Sequence, residues 1–358
     1  MPGLPQAIGR PLAAAARAID RVKLGLKQRL GLFEPLQIDV YRGHGTPQCL
    51  RVRGRVLEQS GTRQPDGEAG ILRNTLDTIR RMESDEIPGA RLRVRLAGAT
   101  EEVETDDEGY FSVDMRPATP LEPGWHDVRI ELIDSMAGGA GLEATGRVLV
   151  PDPEAEFGVI SDLDDTVIRT GATNKLTHTR LLFSRNAVTH VPFEGIDDFY
   201  RRLRLGPDGR GANPVFYVSR SGWNLHDMFV RFLDEHDLPR GAMYMQDTAI
   251  IEPKSEHVGH EQHKRRSIDI ILGMHEPLPF VLVGDSGQED PETYLAAAER
   301  WPGRIHAVYV RDVTDPDRDR EVRRIMDRLR EMGVPALAAE ETSAFERHAR
   351  EHGLVPTD

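Results

Sequence analysis

The second half of the chain is a series of short apolar runs separated by longer stretches with helical spacing. Residues 157–161, 214–219, 242–246, 280–284 and 305–310 are apolar almost throughout, the pattern of strands covered on both faces. Between them, residues 195–205, 223–236, 263–272 and 290–300 read as helices. Strands alternating with helices predict an α/β fold, a doubly wound parallel sheet with helices on both sides. In the tail, Val322, Ile325, Met326, Leu329 and Met332 recur at helical spacing and predict one more packed helix.

The first half has a different rhythm. Leu92, Val94 and Leu96 alternate with arginines, and Val128, Ile130 and Leu132 alternate with charged residues, the mark of half-buried strands. Residues 147–150 supply another strand. Within 103–113, Asp106-Asp-Glu-Gly109 lies between strand-like flanks and predicts a hairpin turn. A helix-like insert over 71–82 follows a Gly/Pro-rich stretch over 60–70. These features predict a small β-sandwich of immunoglobulin-like or transthyretin-like character over 35–150. Pro151-Asp-Pro153 then marks a boundary. Leu12, Ile19, Val22, Leu26, Leu30 and Phe33 trace an N-terminal helix within 1–34. The remaining 151–358 form the third unit, the α/β domain with its C-terminal helices.

Charge refines this outline. The chain of 358 residues carries a formal net charge of -13, which argues against a nucleic-acid partner. A single cysteine, Cys49, excludes a disulfide within the chain and fits a reducing compartment, so a cytoplasmic location is expected. No apolar run approaches the roughly 20 residues that span a bilayer. The N-terminal helix is locally basic, with Arg10, Arg17, Arg21, Lys23, Lys27 and Arg29 against Asp20. Such a helix can dock on the acidic body of its own chain or lie peripherally on anionic lipid, and both readings stay open.

The strand over 157–161 runs straight into Asp162-Leu-Asp164-Asp165-Thr166. Three carboxylates this close repel one another unless a cation sits among them, and hard cations such as Mg2+ prefer oxygen ligands. Open α/β sheets place their chemistry at this end of a strand. The cluster reads as a metal-dependent phosphoryl-transfer site or, taken alone, as an acidic loop. Three further stretches follow in order: a strand ending in Ser219-Arg220-Ser221, a helix start at His263-Lys264-Arg265-Arg266, and a strand running into Gly284-Asp285-Ser-Gly-Gln-Glu-Asp290.

This ordered set resembles the motifs of the haloacid-dehalogenase-like phosphatases. More narrowly, Asp162-Leu-Asp-Asp-Thr166, Ser221-Gly-Trp-Asn-Leu225 and the stretch from Gly284 to Glu292 resemble the catalytic domain of actin-patch type phosphatidate phosphatases, over roughly 157–310. Where that family often has Ser-Pro-Trp-Asn, this chain has Gly222, which alters turn stiffness and removes no chemical group. The resemblance implies a Mg2+-dependent phosphatidate phosphatase working through an aspartyl-phosphate. It implies Asp162 as nucleophile and Asp164 as acid and base. Ser219 and Lys264 would contact the phosphoryl group, with Arg220 as a further substrate contact or a surface ion pair. Asp162, the Asp164 carbonyl and Asp285 would hold the metal, supported by Asp290 directly or through water. Phosphatidate or a related phospholipid would be the partner.

Several alternatives remain beside this reading. Lys254, Arg265 and Arg266 compete with Lys264, which the His263-Lys264 pair at a helix start favours. His257, His260 and His263 invite zinc, but no cysteine accompanies them and a carboxylate-rich site suits Mg2+ better. Lys175, Arg180, Leu181, Leu182, Phe183 and Arg185, within 170–192, could receive an acyl chain and its phosphate or simply pack on the sheet. At the level of function, the alternatives are a phosphatase of soluble phosphomonoesters or phosphoproteins, and a non-catalytic lipid-binding scaffold.

Overall fold

A computed structural model describes residues 27, 30, 33–59, 86–163, 166–167, 192–246, 260–313 and 316–357. Most of the expected N-terminal helix, the insert over 71–82, the stretch over 170–192, Asp164, Asp165, Lys254 and His257 lie outside the described residues.

The described residues form two sheets. The first contains β1 (Leu36–Thr46), β2 (Cys49–Glu58), β3 (Arg91–Leu96), β4 (Ala99–Glu104), β5 (Tyr110–Met115), β6 (Gly124–Asp134) and β7 (Glu143–Val150). Their order is β4-β3-β6-β7-β1-β2-β5. All neighbours pair antiparallel except β1 and β7, which run parallel. The expected two-sheet sandwich is therefore replaced by one mixed sheet, curled so that its outer strands β4 and β5 approach each other. The predicted turn is present. Asp106 accepts the amides of Glu108 and Tyr110 on its side chain, both at 2.9 Å, and Gly109 adopts a φ of 77°, the left-handed region that favours glycine. Yet this turn does not close a two-stranded ladder, because β4 pairs with β3 and β5 with β2. Inside the curl, alternate residues such as Val52, Val56, Leu92, Val94, Ile130 and Leu132 form the core.

The second sheet is entirely parallel: β8 (Gly158–Ser161), β9 (Val215–Gly222), β10 (Ala242–Gln246), β11 (Phe280–Asp285), β12 (Ile305–Arg311) and β13 (Ala336–Ala339). The intervening helices are α1 (Ile196–Leu205), α2 (His226–Glu235), α3 (His260–Met274), α4 (Asp290–Arg300), α5 (Pro316–Glu331) and α6 (Thr342–Glu351). Val159, Tyr217, Val281 and Tyr309 face α1, α2 and α6. Ile160, Phe216, Leu282 and Val308 face α3, α4 and α5. Both faces are thus covered, which is why these strands read as continuous apolar runs. The order β10-β9-β8-β11-β12-β13 starts at β8, grows outward through β9 and β10, and returns to β8's other side with β11. The strand order reverses between β8 and β11, and an α/β sheet opens a crevice there at its carboxyl ends.

The two sheets meet through β1 and β2. His44, 1 % exposed, sits 2.7 Å from His275 Nε2 through Nδ1 and 2.6 Å from the Tyr244 hydroxyl through Nε2. Near the N-terminus, Lys27 pairs with the buried Glu58 of β2 at 2.8 Å, a contact of the self-docking kind. Among the described residues no helix is long and apolar enough to cross a membrane.

Candidate active site

The strand-order reversal brings four of the sequence-predicted residues together. Asp162 follows β8 directly, and its amide donates to the Val283 carbonyl of β11 at 2.9 Å. Asp285 ends β11, and Asp290 begins α4. Oxygen atoms of Asp162, Asp285 and Asp290 all lie within 4.8 Å of one another, and all three residues are buried. Lys264 enters this cluster from α3, itself 3 % exposed. Its Nζ lies 2.8 Å from Asp162 Oδ1 and also donates to Asp290 Oδ1. Burial works to lower the lysine's pKa, but the carboxylates of Asp162, Asp290 and Asp285 outweigh it and push the pKa above the usual lysine range. The ammonium therefore stays charged at neutral pH.

The neighbouring groups fix this arrangement in detail. Asp290 Oδ2 accepts the Asp285 amide at 3.1 Å, so each Asp290 oxygen already holds a donor. Asp285 Oδ1 accepts the Gln288 amide at 3.1 Å, curling the loop after β11 back onto its own acid. The Tyr294 hydroxyl donates to the Val283 carbonyl at 2.8 Å. Gly284 is required by close approach, since a Cβ there would meet Asp290 Oδ2 at 2.3 Å. On the other side, the Ser161 hydroxyl donates to the Asp162 carbonyl at 2.5 Å. That leaves the Tyr200 hydroxyl, 2.6 Å away, as donor to Ser161, and burial keeps the Tyr200 phenol's pKa above its ordinary value.

Ser219 and Arg220 lie near the carboxyl end of β9, the neighbour of β8. Ser161 pairs with Tyr217, so Ser219 emerges at the same sheet end as Asp162. Ser219 is fully buried, and its Oγ accepts the Ser221 amide at 2.9 Å. Arg220 is half-buried. Thr166 is buried as well.

Two arginines in this region were not singled out from the sequence. Arg311 ends β12, 2 % exposed, and donates to the carbonyls of Thr166 (3.3 Å) and Glu340 (2.7 Å) and to the Thr342 hydroxyl (3.0 Å). Its guanidinium also lies 3.9 Å from the Phe193 ring centre. It thereby ties the loop after Asp162 to the start of α6. Arg318 of α5 donates to the carbonyls of Ser286 (3.1 Å) and Gln288 (2.9 Å) and grips both Glu292 oxygens, clamping the loop after Asp285. Arg311 left a trace in the sequence, a charge at the end of an otherwise apolar strand. Arg318 left only an i,i+3 pairing with Glu321, because the groups it clamps after Asp285 are 26 to 32 residues away.

The donor set suits a hard divalent cation. Three buried carboxylates face one ammonium, so negative charge remains in excess, and every donor is oxygen. No histidine belongs to this group, and among the described residues no other cluster of three such groups is present.

Residues 157–312 match the family model described as "Phosphatidate phosphatase APP1, catalytic domain". An uncharacterised protein of Schizosaccharomyces pombe is 29% identical over 222 residues, covering 59% of this chain and 34% of its own length. The phosphatidate phosphatase APP1 of Saccharomyces cerevisiae is 27% identical over 207 residues, covering 56% and 34%. The chain thus spans about a third of the length of the curated relatives it matches. Among solved structures, the Pnkp1/Rnl/Hen1 complex aligns over 48% of this chain and 55% of its own at 13% identity, with a TM-score of 0.30, too weak a likeness to bear on the fold. The acids after β8 and β11, the lysine of α3 and the turn after β9 all fall inside the matched segment, and over that segment the chain resembles the catalytic-domain family of the APP1 phosphatidate phosphatases.

Proposed function

We propose that this chain is a Mg2+-dependent phosphatase that hydrolyses phosphatidate to diacylglycerol and inorganic phosphate. The observation that carries the proposal is the convergence of Asp162, Asp285 and Asp290 on the buried Lys264 at the strand-order reversal, inside the segment that matches the family. The haloacid-dehalogenase-like reading of the fold is supported by the place of the Asp162 strand beside the reversal. The division into 1–34, 35–150 and 151–358 is supported by the first sheet ending at Val150 and the second starting at Gly158.

In this reading, Asp162, Asp285 and the Asp164 carbonyl hold Mg2+, which screens the phosphate's negative charge when bound. An Asp162 oxygen attacks phosphorus and the bond to the glycerol oxygen breaks, giving an aspartyl-phosphate. The leaving alkoxide needs a proton. Lys264 is unsuited to supply it, because the surrounding carboxylates hold its proton too firmly. Asp164, by resemblance, donates that proton and then takes one from the water that attacks phosphorus, releasing phosphate and restoring Asp162. Lys264 supplies fixed positive charge beside the transferring group. Ser219 and Arg220 contact phosphoryl oxygens. Asp290 anchors Lys264 and Asp285 and supports the metal directly or through water.

The test is phosphate release from phosphatidate in mixed micelles, from para-nitrophenyl phosphate and from glycerol 3-phosphate, with Mg2+ or with chelator, and with Asp162→Asn as blank. Fast, Mg2+-dependent release from the lipid supports the proposal. Release from soluble esters alone keeps the mechanism and removes the lipid. Activity in Asp162→Asn, or none on any ester, overturns the assignment.

A further inference from the structure

We propose that the first sheet positions the substrate-binding turn of the second, through a cross-strand pair, Tyr41 on β1 and Arg53 on β2, that holds Trp223. The proposal rests on the reading of Ser219 as a phosphoryl contact.

Tyr41 and Arg53 are direct partners in the β1–β2 ladder, at the edge of a register shift between Tyr41 and His44. Such a bulge re-aims the side chains beside it. Tyr41 is 4 % exposed, but it is not part of its own sheet's core. It belongs to the apolar cluster of the parallel sheet, with Val159, Tyr217, Trp223 and Phe229. Its ring stacks on Trp223 with centroids 4.1 Å apart and planes 15° from parallel. The Arg53 guanidinium lies 5.3 Å from the Trp223 ring centre and 4.1 Å from that of Tyr244, and donates to the Met243 carbonyl at 3.5 Å. The indole is therefore held by a flat aromatic and a planar cation, both from the other sheet, a combination with directional preference as well as buried area.

Trp223 is four residues beyond Ser219, along backbone that leaves little slack. Ser219 Oγ accepts the Ser221 amide, and Gly222 still pairs with Gln246 of β10. A second tie secures the next segment, where the Arg42 amide donates to His226 Nε2 at 3.4 Å and its side chain pairs with Asp234 at 3.3 Å. A shift of the indole is thus passed back to the Ser219 hydroxyl. Tyr41 and Arg53 are positioning residues and touch no reacting atom.

The experiment uses the intact chain with Tyr41→Ala and Tyr41→Phe. It reads melting temperature, KM and kcat for para-nitrophenyl phosphate, and calorimetric binding of inorganic phosphate. Tyr41→Ala is expected to raise KM and weaken phosphate binding by about tenfold, below the roughly hundredfold cost of a full 1 Å misplacement, with kcat changed less than about twofold. Tyr41→Phe keeps the stacked ring and stays near wild type. A folded Tyr41→Ala with unchanged KM and phosphate affinity overturns the proposal, as does a fall in kcat alone or a Tyr41→Phe that behaves like Tyr41→Ala. Should Tyr41→Ala not fold, Arg53→Met carries the same expectation and the same refutation. If the wild-type chain hydrolyses no ester, the phosphatase reading fails by itself. Phosphate affinity then decides alone: selective loss in Tyr41→Ala supports positioning, and unchanged or absent binding overturns it.

Discussion

Replacing Gly284 by alanine adds one methyl group at the point where β11 meets the acid cluster. The new Cβ would lie 2.3 Å from Asp290 Oδ2, 2.6 Å from the Tyr294 hydroxyl and 2.9 Å from Asp290 Cβ, all under the 3.0 Å floor of real Cβ contacts. The carboxylate oxygen must retreat by about 0.7 Å, the shortfall from that floor. Rotating the carboxylate alone does not suffice, since Asp290 Cβ is also too close, so the start of α4 must move. Retreat strains the 3.1 Å bond from the Asp285 amide and the contact to Lys264. Overpacking of this kind costs about 1–3 kcal/mol, and a misplacement approaching 1 Å costs about 100-fold in rate. Gly284→Ala is therefore expected to melt several degrees lower and to lose about two orders of magnitude in kcat/KM, measured by calorimetry and by phosphate release. A variant with wild-type melting and wild-type kcat/KM would refute the reasoning, because the Asp290 carboxylate could not then be where catalysis needs it.

Two other perturbations give independent checks. Lys264→Met keeps the packing of the stem but strands two buried carboxylates, so a loss of about 3–5 kcal/mol is expected, together with loss of activity; a variant as stable as wild type in chemical denaturation would contradict the ion-pair account. Burial, with His275 and nearby arginines adding to it, holds His44 well below its ordinary pKa, and burial with Arg304 brings His275 to about 4 from 6.5. Between pH 6.5 and 4 the unfolded chain binds more protons than the folded one, so stability is complete above 6.5 and falls as pH drops, by up to about 3 kcal/mol from His275 alone. Denaturation midpoints at neutral and mildly acidic pH measure this, and His275→Gln should flatten the dependence. An equal slope in both proteins would show that these histidines do not carry it.

The central strands were legible because burial on both faces leaves continuous apolar runs, as in Phe280-Val-Leu-Val. The acids were legible because they follow those runs at once. The edge strand β13, Ala336-Leu-Ala-Ala, was not, since alanine carries no strand preference and four residues show no period. The charged edge strand β4, in which only Ala99 and Val103 are partly buried against the core, was visible only as a flank of the Asp106 turn. Its path to the far edge, and with it the curl of one sheet in place of two, depends on pairings that no local pattern records. Asp290 was recognisable as an acid of the site, but its grip on Lys264 and on the Asp285 amide was not. Tyr41 was unreadable for the same reason: its partner Trp223 lies in the turn after β9 of the other sheet.

The most direct test of the account is capture of the phosphoryl group on the protein. Wild-type chain mixed with substrate and Mg2+ is quenched in acid within a turnover and digested, and the modified residue is located by mass spectrometry. The account predicts an acid-stable, alkali-labile phosphate on Asp162, absent from Asp162→Asn and absent when Mg2+ is chelated. Turnover without any phosphorylated peptide, or phosphate on a residue other than Asp162, would contradict it.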